Sequence, residues 1–119
     1  MKNLSSLLLI MLMLNVSCKT TASLTAIEPK TGTMELPAKG EYRMWRNIEH
    51  TGFLVTLTNP SATQSCEVYK VTANGNEKWV SPSLMAGKEL TISIPENGHL
   101  FLKNFNGNIL KIDYRVSDK

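Results

Sequence analysis

The strongest constraint on the fold is a two-residue alternation of apolar and polar side chains. Apolar residues occupy every second position from Leu110 to Val116, and the positions between them are Lys, Asp and Arg. Successive side chains of a β-strand point to opposite faces, so this pattern predicts a strand with one buried face. The same alternation runs through residues 53–58 and 89–94. No stretch after residue 18 has the 3.6-residue apolar period expected of a helix.

Weaker alternating segments and turn residues complete an all-β pattern. The weaker strand candidates are Thr33–Leu36, Glu41–Ile48, Glu67–Thr72, Glu77–Val80 and His99–Asn104. Turn signals between the candidates are Thr51-Gly52 and the Asn-Gly pairs at 74–75, 97–98 and 106–107, together with Pro60, Pro82 and Pro95. Asn-Gly pairs suit tight turns because both residues tolerate positive φ. We therefore expect consecutive antiparallel hairpins that build a small β-sandwich with a jelly-roll or immunoglobulin-like outline.

The N-terminal residues have the charge and hydrophobicity of a secretory signal peptide. Lys2 gives a positive start, and residues 4–14 are apolar apart from two serines. A transmembrane helix needs about 20 apolar residues, so this stretch is too short to span a bilayer. We therefore predict that residues 1–17 are a cleaved leader.

The end of this leader contains a cysteine in a characteristic setting. The segment Leu14-Asn15-Val16-Ser17-Cys18 resembles the lipobox of bacterial lipoproteins, in which a small residue precedes a cysteine that becomes lipid-modified and N-terminal. Asn15 departs from the pattern, which has a branched aliphatic residue at that place. The resemblance implies palmitate-bearing lipid on Cys18 and a membrane-anchored protein of the bacterial cell envelope, facing the periplasm or the cell surface. The alternative is ordinary cleavage after residues 20–22, which would release a soluble protein.

The residues that follow Cys18 are expected to form a flexible connection to the folded domain. Residues 18–32 are rich in Thr, Ser, Ala and Lys and have no sustained apolar period. A flexible chain of this length has an end-to-end distance of roughly 20 Å. We therefore predict a lipidated tether at 18–32 and a sandwich domain at 33–119.

The second cysteine is expected to be a buried apolar side chain. If Cys18 carries lipid, Cys66 has no partner in a chain with two cysteines. A disulfide framework is then excluded, and an intermolecular bridge is the minor alternative.

The charged and titratable residues give no sign of catalysis, metal binding or nucleic-acid binding. Beyond Cys18 there are 12 basic and 10 acidic residues, and the basic ones are interspersed with acids. The two histidines, His50 and His99, lie far apart without ligands at zinc spacing and are expected to be solvent-exposed. We expect a non-enzymatic domain without metal or cofactor.

Aromatic residues are the remaining candidates for a binding face. If Tyr42 and Met44 face inward, alternation places Trp45 outward beside Arg43, and the same reasoning places Phe101 outward. Trp79 lies in a charged strand. The possible binding face therefore comprises four residues: Trp45, Trp79, Phe101 and Arg43. The first functional hypothesis is binding of another envelope protein, and the second is a carbohydrate-binding module that uses exposed aromatic rings.

Overall fold

Two antiparallel four-stranded sheets make up the fold. The computed structural model describes residues 27–119, so the predicted leader and Cys18 lie outside the described residues. The strands are β1 (Thr31–Leu36), β2 (Glu41–Met44), β3 (Phe53–Thr58), β4 (Cys66–Val71), β5 (Glu77–Leu84), β6 (Glu89–Ile94), β7 (His99–Lys103) and β8 (Leu110–Asp118). In this part of the chain no helix is long and apolar enough to cross a bilayer.

The strand order identifies the sandwich as a jelly roll. One sheet has the order β1-β8-β3-β6 and the other has the order β2-β7-β4-β5. Chain neighbours therefore mostly lie in different sheets, and the chain crosses the sandwich at nearly every connection. Eight strands arranged in this way form the jelly-roll architecture. The predicted all-β sandwich is confirmed, and of the two outlines considered the jelly roll is the one observed.

The expectation of consecutive hairpins is wrong for most connections. Within residues 27–119 the one pair of consecutive strands that shares a sheet is β4 and β5, joined through Asn74-Gly75, where Gly75 has φ 90°. The other two Asn-Gly turns join strands of different sheets. Local turn chemistry specifies where the chain reverses, but the partner of the next strand depends on long-range packing of the apolar faces.

Apolar side chains on the inner faces of both sheets fill the core. Strand β8 shows the cause most clearly, because alternate residues from Leu110 to Val116 are buried and those between them are exposed. Met34, Leu57 and Ile112 are at most 2% exposed. Removing such apolar area from water is the main stabilising contribution to the fold.

The folded domain begins before the predicted boundary at residue 33. Ile27 is 8% exposed and belongs to the core, and β1 begins at Thr31. The Lys30 carbonyl accepts a hydrogen bond from the Val116 amide. Residues 27–32 are therefore part of the domain and not of the tether.

Two strand boundaries differ from the prediction for physical reasons. Strand β2 ends at Met44 because Trp45 has φ 70°, a left-handed conformation that breaks the extended chain. Strand β5 continues beyond Val80 to Leu84, so Pro82 lies within a strand. This is tolerated because β5 is an edge strand and its pairing with β4 shifts register near Val68, where β5 has extra residues.

The loops lie at two opposite ends of the sandwich. We call one of them the proximal end, because the chain enters β1 there. It carries the 45–52 connection, the 95–98 turn and the end of β8, because Phe53 pairs with both Ile94 and Asp118. The 72–76 turn lies at the same end, because Val71 pairs with His99, which follows the 95–98 turn. The remaining connections lie at the distal end, where the buried Asn59 and Asn104 side chains bond loop carbonyls.

Candidate interaction surface on the outer face of one sheet

Four side chains form a continuous row across the outer face of the β2-β7-β4-β5 sheet. Arg43 pairs with Phe101, Phe101 pairs with Tyr69, and Tyr69 pairs with Trp79, so each residue lies directly opposite the next. We call this set the aromatic row. Directly opposed side chains on one sheet face have closely spaced Cβ atoms, so the register brings them into contact.

The first contact in the aromatic row covers a phenyl ring with a guanidinium group. Arg43 Cζ lies 3.7 Å from the centroid of the Phe101 ring, and Phe101 is only 1% exposed although it points away from the core. Arg43 Nη2 donates to Glu77 Oε2 at 2.9 Å, and Nη1 donates to His99 Nε2 at 3.0 Å. The planar guanidinium can stack and donate at the same time, which a lysine cannot do. Arg43 is therefore fixed in one orientation.

Tyr69 occupies the centre of the row and contacts rings on both sides. Its ring centroid lies 5.3 Å from that of Phe101 and 6.2 Å from that of Trp79. The planes of the Tyr69 and Trp79 rings are inclined to each other by only 19°. The Tyr69 hydroxyl donates to Glu67 Oε1 at 2.8 Å. This hydrogen bond is the main reason that the pKa of Tyr69 is raised above 10.0, with desolvation second. The Lys103 ammonium lies 5.2 Å from the Tyr69 ring centroid.

The row opens toward solvent at its last member. Trp79 lies on the edge strand β5 and is 54% exposed. The same row is therefore covered by Arg43 at one end and accessible at the other. A large ring that is exposed on a rigid base is a feature of protein-binding surfaces.

His99 lies beside the row, and its neutral imidazole carries its single ring proton on a defined nitrogen. Because a guanidinium can only donate, His99 Nε2 accepts from Arg43 and the ring proton lies on Nδ1. Partial burial lowers the pKa of His99 below its usual 6.5, and the positive charges of Arg43 and Arg46 lower it further.

The structure brings together three of the four residues predicted for the binding face. Arg43, Phe101 and Trp79 share the outer face, although Phe101 is covered and not exposed. The predicted outward position of Trp45 is wrong: Trp45 is 8% exposed and packs edge-on against Phe53 at 5.0 Å and Tyr114 at 5.7 Å. The alternation of inward and outward side chains along β2 does not continue to Trp45, because the left-handed backbone of Trp45 ends the strand.

Tyr69 is the member of the row that sequence reasoning missed. Its strand was predicted, and alternation with the apolar Val68 gave a signal for the outward position. Its place between Phe101 and Trp79 depends on the register of β4 with two other strands. A single sequence does not contain that register.

The two histidines differ in exposure, and one prediction about them is wrong. His50 is 1% exposed, and its ring nitrogens lie 2.7 Å from the carbonyl oxygens of Thr51 and Gly98. It therefore ties the 45–52 connection to the 95–98 turn instead of facing solvent. His99 is half-buried. In residues 27–119 no group of three His, Cys, Asp or Glu side chains is placed to hold a metal ion.

The prediction for Cys66 is confirmed. The side chain is free, 3% exposed and part of the core cluster. Burial raises the pKa of its thiol from 9.0 to about 12.

Comparison with known proteins gives similarity of fold only. No protein-family model matches the chain, and no curated protein matches it in sequence. Among solved structures, Drosophila melanogaster CENP-C bound to CAL1 is similar with a TM-score of 0.52 and 16% identity, covering 78% of this chain and 65% of that chain. The Drosophila melanogaster CENP-C cupin domain is similar with a TM-score of 0.50 and 16% identity, covering 78% of this chain and 64% of that chain. A de novo designed double-stranded β-helix is similar with a TM-score of 0.51 and 13% identity, covering 75% of this chain and all of that chain.

These similarities concern the jelly-roll fold alone. The chain spans slightly less than two thirds of each CENP-C chain that it matches. Since one fold carries many unrelated functions, identities this low give no information about function. The domain thus has a jelly-roll fold similar to that of the CENP-C cupin domain and of the designed double-stranded β-helix.

Proposed function

We propose that the protein is a non-enzymatic lipoprotein of the bacterial cell envelope whose β-domain binds another protein through the aromatic row. The lipid on Cys18 would hold the domain beside the membrane, and the outer face of the β2-β7-β4-β5 sheet would contact the partner. The resemblance of residues 14–18 to a lipobox supports the anchoring half of the proposal.

The observation that carries the binding half is the exposed indole of Trp79 at the open end of the row. Trp is the residue type most enriched among the residues that dominate binding energy at protein interfaces. Tyr69 stacks beside Trp79, and Tyr69 is in turn held by Phe101 and by its hydrogen bond to Glu67. Such a fixed surface loses little side-chain entropy when a partner covers it.

Anchoring would strengthen a modest interaction. Eight residues separate Cys18 from Ile27, the first described residue of the core. A connection of this length spans at most about 30 Å, so the domain would stay close to the bilayer. Confinement raises the effective concentration toward a partner in the same membrane without any additional contact.

The anchor is tested by replacing the lipid acceptor. We expect Cys18→Ser to abolish incorporation of labelled palmitate and to move the protein from the membrane to the soluble fraction. Cys66→Ser is the matched control and should leave labelling unchanged. Membrane retention of the Cys18→Ser variant, or a mature protein that begins at Ser23, would contradict the anchor.

The binding surface is tested with a pair of exposed aromatic residues. Crosslinking and affinity purification from envelopes should recover one stoichiometric protein with the unmodified chain, and Trp79→Ala should reduce the recovery at least about tenfold. Phe105→Ala is the control, because Phe105 is 63% exposed but lies in the β7–β8 connection at the distal end. Equal recovery with both variants would exclude the aromatic row as the contact surface.

Glycan binding by Tyr69 and Trp79 is the second candidate. Their nearly parallel rings, 19° apart, are the observation in its favour, since sugars stack on aromatic faces. Of the three aromatic residues predicted for the binding face, Trp79 is the exposed one, because Trp45 and Phe101 are buried. A saturable change of Trp79 fluorescence with envelope glycans, and no protein recovered by crosslinking, would favour this candidate over the first.

A further inference from the structure

The proximal end of the sandwich contains an open pocket beside the aromatic row. Its volume is about 490 Å³, and its walls come from the 45–52 connection, the 72–76 turn and the 95–98 turn. The side chains that matter for its chemistry are Arg46, Asn47, Glu49, Asn97 and His99. This volume is in the range of small-molecule sites.

Two neutral groups in the pocket wall are available as hydrogen-bond donors. His99 Nδ1 carries the ring proton because Nε2 accepts from Arg43 at 3.0 Å. Asn97 Oδ1 accepts the backbone N–H of His50 at 2.9 Å, which leaves the Asn97 amide NH₂ group to donate elsewhere. Both donors are held in place by contacts outside the pocket.

Arg46 places an unpaired positive charge near these donors among the described residues. Arg43 is neutralised by Glu77 at 2.9 Å, whereas Arg46 has no carboxylate within salt-bridge distance among residues 27–119. Arg46 acts on His99 strongly enough to lower the pKa of the imidazole, after desolvation and Arg43. Glu49 also lines the pocket but does not contribute to that shift.

The backbone that presents Arg46 is fixed on both sides. Trp45 and Asn47 have φ values of 70° and 62°, a region that costs about 1–3 kcal/mol for residues other than glycine. The buried indole of Trp45 precedes this segment, and the buried ring of His50 follows it. These two anchors hold residues 46–49 at the pocket wall.

We propose that this pocket binds an oxyanion, either a phosphate or a carboxylate group, through the Arg46 guanidinium, His99 Nδ1–H and the Asn97 amide. Charge-assisted bonds from a guanidinium to such groups are strong and directional. Because the pocket lies at the end where the chain enters β1, the anion could come from a phospholipid headgroup or from a free solute. This proposal is independent of which protein the aromatic row contacts.

The test uses the two histidines of the chain as reporters. A chain beginning at Lys19 contains all of residues 27–119 and with them every core residue that the structure describes. Its imidazole resonances are followed by NMR during titration with inorganic phosphate, and separately with acetate, at constant ionic strength. We expect saturable shifts for His99 and a rise of its pKa, and a smaller response from His50, whose buried ring bonds the carbonyl oxygens of Thr51 and Gly98.

Two charge variants of the pocket give opposite expectations. Arg46→Gln should weaken anion binding at least about tenfold, because it removes the charged donor. Glu49→Gln should leave the affinity unchanged or increase it, because it removes a like charge. Both side chains are exposed, so neither change should disturb folding.

The outcomes separate the proposal from its alternatives. Absence of a saturable His99 shift, equal affinity of the Arg46→Gln variant, or a stronger response to glucose than to either anion would overturn it. Co-sedimentation with phosphatidylcholine vesicles that contain phosphatidic acid, but not with phosphatidylcholine alone, would assign the anion to a lipid headgroup. Binding of phosphate without vesicle binding would assign it to a free solute.

Discussion

The guanidinium of Arg43 covers the ring of Phe101 on the solvent side of a β-sheet, with Cζ 3.7 Å from the ring centroid. The contact buries a phenyl ring outside the core, where alternation alone would leave it exposed. Because Arg43 also bonds Glu77 and His99, one side chain links strands β2, β7 and β5.

Replacing Arg43 is expected to destabilise the domain. Arg43→Ala should lower the free energy of unfolding by about 1–2 kcal/mol, because it removes the cation–π contact and two hydrogen bonds and exposes Phe101. Arg43→Met should recover part of the loss, since its apolar chain still covers the ring. Chemical denaturation measures both.

A surface ion pair provides the control for Arg43. Lys111 and Glu35 approach to 3.8 Å, but their side chains are 64% and 62% exposed. Lys111→Ala should therefore change stability by less than about 0.5 kcal/mol. An equal effect of Arg43→Ala and Lys111→Ala would show that the cover over Phe101 contributes nothing.

Trp45 combines an unfavourable backbone with favourable packing, and two substitutions separate these effects. Trp45→Ala should cost about 3–5 kcal/mol, because the ring fills the space between Phe53 and Tyr114. Trp45→Gly should be about 1 kcal/mol more stable than Trp45→Ala, because glycine adopts φ 70° without a steric penalty. Denaturation midpoints compare the two variants. A glycine variant less stable than the alanine variant would mean that the left-handed conformation is not retained.

The sequence allowed prediction of strands but not of their partners. Residues 53–58, 89–94 and 110–116 have strict alternation, and each forms a strand with its apolar face inward. Asn97-Gly98 marks a real reversal, yet β6 and β7 lie in different sheets. Periodicity is a local property, whereas partner choice arises from packing between segments distant in sequence.

The candidate surface shows the same limit at the level of single residues. Alternation correctly placed Phe101 on the outer face, but its burial requires the β2–β7 register that sets Arg43 opposite it. Alternation gave the wrong face for Trp45, because the local residue types contain no signal for the left-handed backbone conformation of this residue. Tyr69 joined the row through the pairing of β4 with both neighbours.

The pKa of His99 predicts how stability depends on pH. Desolvation and then Arg43 and Arg46 lower this pKa below 6.5, so at pH values between the folded and unfolded pKa the unfolded chain binds more protons. Stability from this residue is therefore complete above about pH 6.5 and is lost as the pH falls through the folded pKa. Protonation also removes the acceptor for Arg43.

A neutral replacement isolates this effect from other acid-sensitive groups. The His99→Gln variant should lose less stability than the unmodified chain between about pH 7.5 and about pH 5. Urea denaturation at the two pH values gives the comparison, and NMR titration of the ring gives the pKa directly. Identical pH dependence of both proteins would contradict the assignment.

Cys66 is expected to be chemically inert until the domain unfolds. Its thiol is buried, and its pKa of about 12 leaves almost no reactive thiolate at neutral pH. In a chain that begins at Lys19, Cys66 is the one remaining thiol, so modification by a thiol reagent should be slow in the native state and rapid in denaturant.

The Cys66 thiol of the unfolded chain ionises near pH 9.0, so the stability of the domain should decrease as the pH rises above this value. The Cys66→Ala variant should lack this alkaline decrease and lose about 1 kcal/mol through its small cavity. Rapid native-state modification would indicate that β4 opens at the edge of the core without global unfolding, because the thiol is otherwise closed off from solvent.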